Sequence, residues 1–441
     1  MSAPESVDAV VIGANMRGLV TAHLLDKLGY RAVLIERGAR LGGADGTFVT
    51  PGGARFEYGL HVLDEDRSEA ATRLFRWAVD DRVHRVQLRR GIVLRGRTMP
   101  YAPRPSEMPD ELRRMLPGDE LSDELGDQPP TRANLARHYG RAFADLVFDE
   151  VLPSYPSENR HRRFGVDESR LLANIYPWFF PRAQRRSKSG DESRAFHDRL
   201  RDGVPQWILY PREGGFSGFA EGLLGKLDRS RIEVLMGADD LRLELAPATH
   251  TVVAVHAKGR VLRARHVFWA GPWEPLCRIL DLPCQSVATD RVMLGSFVFD
   301  RPATSAWNEL LVGDPSFSIA RVYFPGRWRE SDAPLMQIEF AVPKAEDWPA
   351  DAEHWRAKWL DDARRLGLIG AQHRLVEFDF KAIVMHFNGF GMEGEALRDA
   401  DPAALKPGSN LHPVVPSMAN LNLNRYVPRA LAEVVAVLAR D

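Results

Sequence analysis

Cysteine is nearly absent: Cys277 and Cys284 are the only two in 441 residues. This excludes a disulfide framework, and the pair lacks metal-ligand spacing, so a reducing compartment is the expected setting. Long apolar runs are also missing, since no stretch approaches the roughly 18 consecutive apolar residues of a membrane helix. Residues 1–8 carry acids where an export signal carries bases, and a cytoplasmic protein without a membrane span is expected. Net charge is scarce too. With 59 Lys+Arg against 60 Asp+Glu the formal sum is -1, so no global field drives binding to phosphate backbones, and nucleic acid is not an expected partner. Lysine is rare among the bases, the remainder being arginine. Arginine suits bidentate anion binding, although genome composition produces the same bias.

What is present is a chain long enough for a large core, about three domains' worth at roughly 150 residues each. Residues 7–12 (VDAVVI) form a β-branched run that ends at glycine and predicts a buried parallel strand. A glycine turn, Gly13-Ala-Asn-Met-Arg-Gly18, leads into a helical pattern over 19–28 that closes at Gly29. Residues 31–36 predict the next strand, which completes a βαβ unit.

Further along, 46–49 and 54–58 predict a hairpin around Pro51-Gly52-Gly53, and 91–99 predict a second hairpin turning at Arg95-Gly96-Arg97. Residues 105–130 are acidic and punctuated by proline, and 131–151 resume a helical pattern. Residues 207–215 predict a strand and turn before a helix at 216–227. Strands are expected over 232–245, 251–257 and 267–271, alternating strand and turn over 291–340, and a helix over 354–366. Residues 407–424 read as a loop before a closing helix at 427–440.

The glycine turn carries the first chemistry. In a dinucleotide-binding unit the first glycine permits the turn, the second admits the pyrophosphate, and the third lets helix and strand pack closely. Gly13 and Gly18 occupy the first and third positions, and Asn15 stands at the second. Asparagine tolerates left-handed backbone, but its side chain stands where a phosphate would come close. Glu36 lies 18 positions after Gly18, close to the spacing at which an acid accepts hydrogen bonds from a ribose; it repels a 2′-phosphate and so disfavours NADP.

Other chemistries lack their residues. Gly215-Phe-Ser-Gly218 has the wrong spacing for a nucleophile elbow, and Gly225-Lys226 is followed by leucine, so no phosphate-binding lysine loop forms. The 13 histidines make no zinc-type motif. Basic clusters at 160–163 and 182–188 could draw an anionic substrate or form a solvated face, and the aromatic group 176–180 could line a pocket or pack in a core.

Beyond Glu36, the segments Arg40-Leu-Gly-Gly43 and Phe56-Glu-Tyr-Gly-Leu-His-Val-Leu63 resemble the flavoprotein family of amine oxidases, protoporphyrinogen oxidase and UDP-galactopyranose mutase. The resemblance runs through most of the chain. It includes residues 91–100 and 164–171, the Tyr210-Pro-Arg-Glu-Gly-Gly215 turn, and Trp269-Ala-Gly-Pro272. It implies FAD, with Gly42 and Gly43 by the cofactor phosphates and His61 near the flavin ring or a substrate hydroxyl, although Leu60 replaces a usual proline. It also aligns Arg321 with a mutase arginine that clamps the substrate pyrophosphate; a structural ion pair is the competing role. The C-terminal stretch 416–425 departs from the mutase, with Ser417, Leu421 and Arg425 standing where an arginine, a tyrosine and an acid are usual.

The expected fold class is α/β, a discontinuous Rossmann-type FAD-binding domain (1–70, 205–290 and 395–441) with an inserted α+β substrate domain (71–204 and 291–394). The cofactor site is expected at Gly13, Asn15, Gly18, Glu36, Arg37, Gly42, Gly43, Asp240 and Gly271, with Asp240 near the adenine, and catalysis at His61 and Arg321. The leading reaction is hydride transfer to flavin from a small, polar, sugar-type metabolite, which could be anionic. A non-redox sugar-nucleotide mutase and a cofactor-free homologue serving as a binding protein are the alternatives. No metal is expected, and a homodimer is admitted.

Overall fold

The computed structural model describes residues 4–65, 68–101, 107–115, 132–151, 205–246, 249–281, 289–329, 331, 333–343, 348, 351–386, 409–414 and 423–439. The clusters at 160–163, 176–180 and 182–188, the 164–171 segment, Cys284, Ser417 and Leu421 lie outside the described residues.

Strands are numbered in chain order. The first sheet runs β10 (Ile232–Leu235), β2 (Ala32–Ile35), β1 (Glu5–Ile12), β13 (Arg260–Trp269), β12 (Val252–Ala257) and β11 (Arg242–Leu245), with β19 (Leu411–Pro413) also paired to β13. β1 lies parallel to both β2 and β13, and both of its faces are covered. Side chains alternate between those faces. Ala9 and Val11 join one core with the helix Met16–Lys27, while Val10 and Ile12 join another with β12 and the helix Trp273–Leu280. That two-sided burial explains a strand with so few polar residues. The helix Met16–Lys27 ends as expected at Gly29, φ +82°: the Gly29 and Tyr30 amides donate to the Asp26 and Leu25 carbonyls, both at 3.0 Å. The sheet is assembled from three separate parts of the chain, so the α/β Rossmann-type fold is discontinuous as expected.

The second sheet runs β18 (Leu375–His386), β14 (Thr289–Phe299), β17 (Leu335–Pro343), β16 (Arg321–Tyr323), β15 (Glu309–Val312), β7 (Arg90–Leu94) and β8 (Arg97–Pro100). One face is apolar. Met293, Phe297, Met336, Ile338 and Phe340 pack there against Trp355 and Trp359 of the helix Ala352–Arg365. The opposite face carries Ser296, Tyr323, Gln337, Glu339 and Arg321, which alternate with those apolar residues. A third sheet pairs β5 (Leu63–Asp64), β9 (Trp207–Pro211) and β6 (Val83–Gln87), and β3 (Thr47–Val49) with β4 (Arg55–Glu57) form the expected hairpin.

That hairpin joins the two main sheets. The Glu377 carboxylate on β18 accepts from the Gly52 amide at 2.6 Å and the Thr50 hydroxyl at 2.9 Å, and the Lys381 ammonium lies 5.0 Å from the Phe48 ring centre. The site residues described below follow from this junction.

Three local expectations are corrected. The strand expected over 232–245 is two strands, separated at Gly237, φ +68°; one runs parallel to β2 and the other antiparallel to β12. The loop expected over 407–424 contains β19, anchored by the Asn410 side chain, which bonds Val252 and Ala264. The closing helix begins at Leu423, before its internal Pro428. In addition, the helix Glu69–Ala78 and β6 pack into the core of the first sheet through Ala71, Phe75, Ala78 and Val83, although they fall in the stretch expected for the inserted domain.

Candidate functional site

The chain leaves β1 at Gly13, φ +103°, and enters the helix at Met16. A Cβ on Gly18 would stand 1.7 Å from the Gly13 carbonyl oxygen, so only glycine lets the helix approach the strand this closely. Asn15 is extended (φ −75°), and so its position needs no left-handed backbone. Its side-chain oxygen accepts from the Arg17 and Gly18 amides at 3.1 and 3.2 Å, and its amide donates to the Ala270 carbonyl at 2.7 Å. Asn15 is therefore a helix N-cap. The cap engages the amides of Arg17 and Gly18 and leaves those of Asn15 and Met16 outside it, while no acid in the first turn neutralises the positive end.

Around this turn the other expected residues converge. The Glu36 carboxylate accepts from the Ala14 amide at 2.8 Å and the Gly38 amide at 2.7 Å, which fixes it at the mouth of the turn. Gly42 donates to the Ala14 carbonyl at 3.0 Å, and a Cβ on Gly43 would lie 3.1 Å from the Asn15 Cβ. Gly271 follows Ala270, the residue that Asn15 bonds, and a Cβ there would crowd the Trp269 ring at 3.0 Å. Asp240 sits in the next loop, beyond Ala238, whose amide bonds the Glu36 carbonyl. Its carboxylate holds the Lys258–Gly259 turn at 2.6 and 2.9 Å, and the Gly259 and Lys258 amides keep it below the ordinary carboxylate range. Arg37 is exposed.

A second cluster gathers where the hairpin meets the second sheet. Glu57 is fully buried; Tyr210 donates its hydroxyl to one carboxylate oxygen, and the Arg329 guanidinium stands 3.7 Å from the same oxygen. Burial pushes the Glu57 carboxyl above its ordinary range, against the opposing pull of Arg329, Tyr210 and His61. Burial likewise holds the Tyr210 and Tyr323 hydroxyls well above theirs, reinforced by Glu57 and by Glu339, respectively. The Gln337 amide donates to the Glu57 carbonyl at 2.9 Å, and Tyr323 stacks on Trp328 with centroids 5.3 Å apart. His61 lies over Phe216 at 5.7 Å, with Nδ1 3.3 Å from the Asp45 carboxylate. Four buried polar atoms of this cluster have no partner among the described residues: the second Glu57 oxygen, His61 Nε2, the Tyr323 hydroxyl and the Gln337 oxygen. Buried polar groups left unpaired cost free energy, which marks the cluster as prepared for a ligand.

Arg321 is placed by strand register. It stands opposite Glu339 across β16 and β17, with a guanidinium nitrogen 3.5 Å from that carboxylate and another 3.3 Å from Glu309. Glu309 in turn pairs with Arg90, its register partner across β15 and β7, at 2.5 Å. Arg321 thus belongs to a four-residue charge ladder, the ion-pair role weighed above. Glu57, Tyr210, Arg329, Glu309, Glu339 and Arg90 were missed by sequence reading. Only the lone acids within apolar strands, Glu309 in NELLV and Glu339 in QIEF, gave a signal. Among the described residues no cluster could hold a metal ion, and no helix is long and apolar enough to cross a membrane.

Comparisons with known proteins bear on the fold. Residues 11–77 match the family described as NAD(P)-binding Rossmann-like domain. All-trans-retinol 13,14-reductase of Danio rerio is 40% identical over 62 residues, 14% of this chain and 10% of that protein. The chain therefore matches about a tenth of this curated relative's length. A reduced UDP-galactopyranose mutase superposes with TM-score 0.72 at 15% identity, covering 99% of this chain and 96% of the other. A protoporphyrinogen oxidase-type protein from an Exiguobacterium species gives TM-score 0.67 at 14% identity, covering 100% of both chains. The fold is the one shared by UDP-galactopyranose mutase, the protoporphyrinogen oxidase-type protein and a putrescine oxidase. Its N-terminal part has the Rossmann-like βαβ architecture.

Proposed function

We propose that the chain is an FAD-dependent oxidoreductase that takes hydride from a small, polar, sugar-type metabolite in the cytoplasm. The supporting observation is the nucleotide turn with Glu36 fixed at its mouth, together with a separate cluster of buried polar atoms that lack partners. The residues fit the cofactor. Glu36 would meet the adenosine ribose; Gly13, Asn15, Gly18, Gly42, Gly43 and Gly271 would line the pyrophosphate, and Arg37 and Asp240 would flank the adenosine end. His61 would face the ring and substrate, and Arg321, held between Glu309 and Glu339, would border the substrate face without clamping an anion. When bound, the flavin supplies the hydride acceptor; the protein supplies position, electrostatics and exclusion of water. The two interleaved domains expected from sequence would divide these tasks between cofactor and substrate. A mutase-type pyrophosphate clamp is disfavoured, because Arg321 already faces two carboxylates.

The Asn15 cap favours one other reading, a homologue that has given up the cofactor and serves as a binding protein, because a side chain occupies part of the helix N-terminus. Anaerobic mixing of FAD-loaded protein with polyols, sugars and amino sugars tests the proposal. Bleaching of the flavin by one of them supports oxidation; product formed only after prior chemical reduction indicates mutase chemistry instead.

A further inference from the structure

The 3-10 turn Gly43–Asp45 begins at the second glycine of the pair that abuts the nucleotide turn. The carboxylate of its last residue, Asp45, stands 3.3 Å from His61 Nδ1. The opposite nitrogen, Nε2, is buried and has no partner among the described residues. It borders Gly59, φ +121°: a Cβ placed there would lie 3.7 Å from His61 Nε2 and 3.8 Å from a Glu339 oxygen. Any other residue would fill the space that these two groups share. Phe216 holds the imidazole plane from one side. The charged or titratable groups that bear on the ring are Asp45 from the 3-10 turn, Glu57 from β4 and, across Gly59, Glu339 from β17 with its partner Arg321.

An imidazole with a carboxylate at Nδ1 carries its proton there and presents a lone pair at Nε2. We propose that Asp45 is a positioning residue that fixes this tautomer, so that His61 Nε2 accepts the proton of a hydroxyl or amine on the substrate carbon that is oxidised. The inference deepens the oxidoreductase reading and rests on it for the second half. The heteroatom–hydrogen bond breaks, the proton goes to Nε2, and the freed pair forms the carbon–heteroatom double bond while the neighbouring C–H pair leaves as hydride to an oxidised flavin. The imidazolium that results faces the Asp45 carboxylate, which stabilises it. The substrate class is thereby narrowed to molecules whose reacting carbon bears a hydroxyl or amine.

The experiment is nitrogen-15 NMR of the His61 ring in the purified full chain at mildly alkaline pH, in wild type and in Asp45→Asn. We expect the Nδ1–H tautomer in wild type. In Asp45→Asn the proton should move to Nε2, because the new amide can donate to Nδ1, and the melting temperature should stay within a few degrees, since Asp45 and His61 are both partly exposed. A wild-type ring protonated at Nε2, or a tautomer unchanged in Asp45→Asn, overturns the proposal. If that variant fails to fold, the wild-type spectrum alone still decides. In FAD-loaded protein, Asp45→Asn should lower kcat by on the order of a thousandfold or more with little change in KM, by analogy with the carboxylate of hydrolytic triads. Failure to bind FAD would defeat the cofactor reading while leaving the tautomer result standing, so the two claims fail separately.

Discussion

Tyr210 on β9 donates its hydroxyl to the buried carboxylate of Glu57 on β4, tying together strands 153 residues apart in sequence. Arg329 approaches the same carboxylate, so one acid anchors the hairpin, the three-stranded sheet and the 3-10 turn Pro325–Arg329 that follows β16. Folding is thus linked to the protonation of Glu57.

The sign of that linkage follows from burial. Glu57 binds its proton more tightly in the folded protein than in the unfolded chain, so stability falls as pH rises from the ordinary carboxylate range through its raised value, then levels. Glu57→Gln removes this contribution. Urea denaturation between pH 5 and pH 8 should give a flatter stability profile for the variant than for wild type; an identical slope contradicts the assignment.

Gly18→Ala tests the turn. The added Cβ would meet the Gly13 carbonyl at 1.7 Å, and the backbone itself must move. Overpacking of this kind costs about 1–3 kcal/mol. The variant should lose that much in chemical denaturation and should no longer bind a dinucleotide.

Asn15 separates capping from ligand exclusion. Asn15→Ala removes the cap and should cost about 1 kcal/mol, whereas Asn15→Gly should lose only a few tenths from capping. If the side chain leaves room for the pyrophosphate, FAD affinity in Asn15→Gly should change by less than about threefold, under 1 kcal/mol. A large gain in affinity would support the cofactor-free reading.

Arg90 and Arg321 are not equivalent partners. Removing Arg90 leaves Glu309 buried beside a more distant guanidinium, and breaking a buried pair typically costs about 3–5 kcal/mol. Arg321 is 31% exposed in its side chain, and Arg321→Ala should cost nearer about 1 kcal/mol. Equal losses for the two alanine variants in urea denaturation would contradict the ladder as described.

Much of the first sheet was legible because its signals are local. The third glycine at Gly18 and the acid at Glu36 follow from contacts within one βαβ unit, and the apolar run of β1 announces a buried strand even though β13 and the helix Trp273–Leu280 cover it from far along the chain. The role of Asn15 was readable in kind, since asparagine favours N-caps, yet it was sought as a substitute for backbone freedom that the position does not require. β19 was hidden because three residues are too few for a periodicity, and it is held by pairing with a distant strand. The alternation in β17 marks Gln337 and Glu339 as one face, but whether that face meets water or a buried carboxylate depends on the hairpin docked against it. Nothing in Phe56-Glu-Tyr announces that Glu57 is wholly buried; its partners come from β9 and from the segment after β16.

The roles proposed for Glu36, Gly42 and His61 all require that the chain bind a flavin. The visible spectrum and thermal stability of the purified full chain, with and without added FAD, test this. A flavin-binding chain should be yellow, retain FAD at up to one per chain through gel filtration and melt at a higher temperature when saturated. A colourless protein whose melting temperature does not respond to FAD would contradict it.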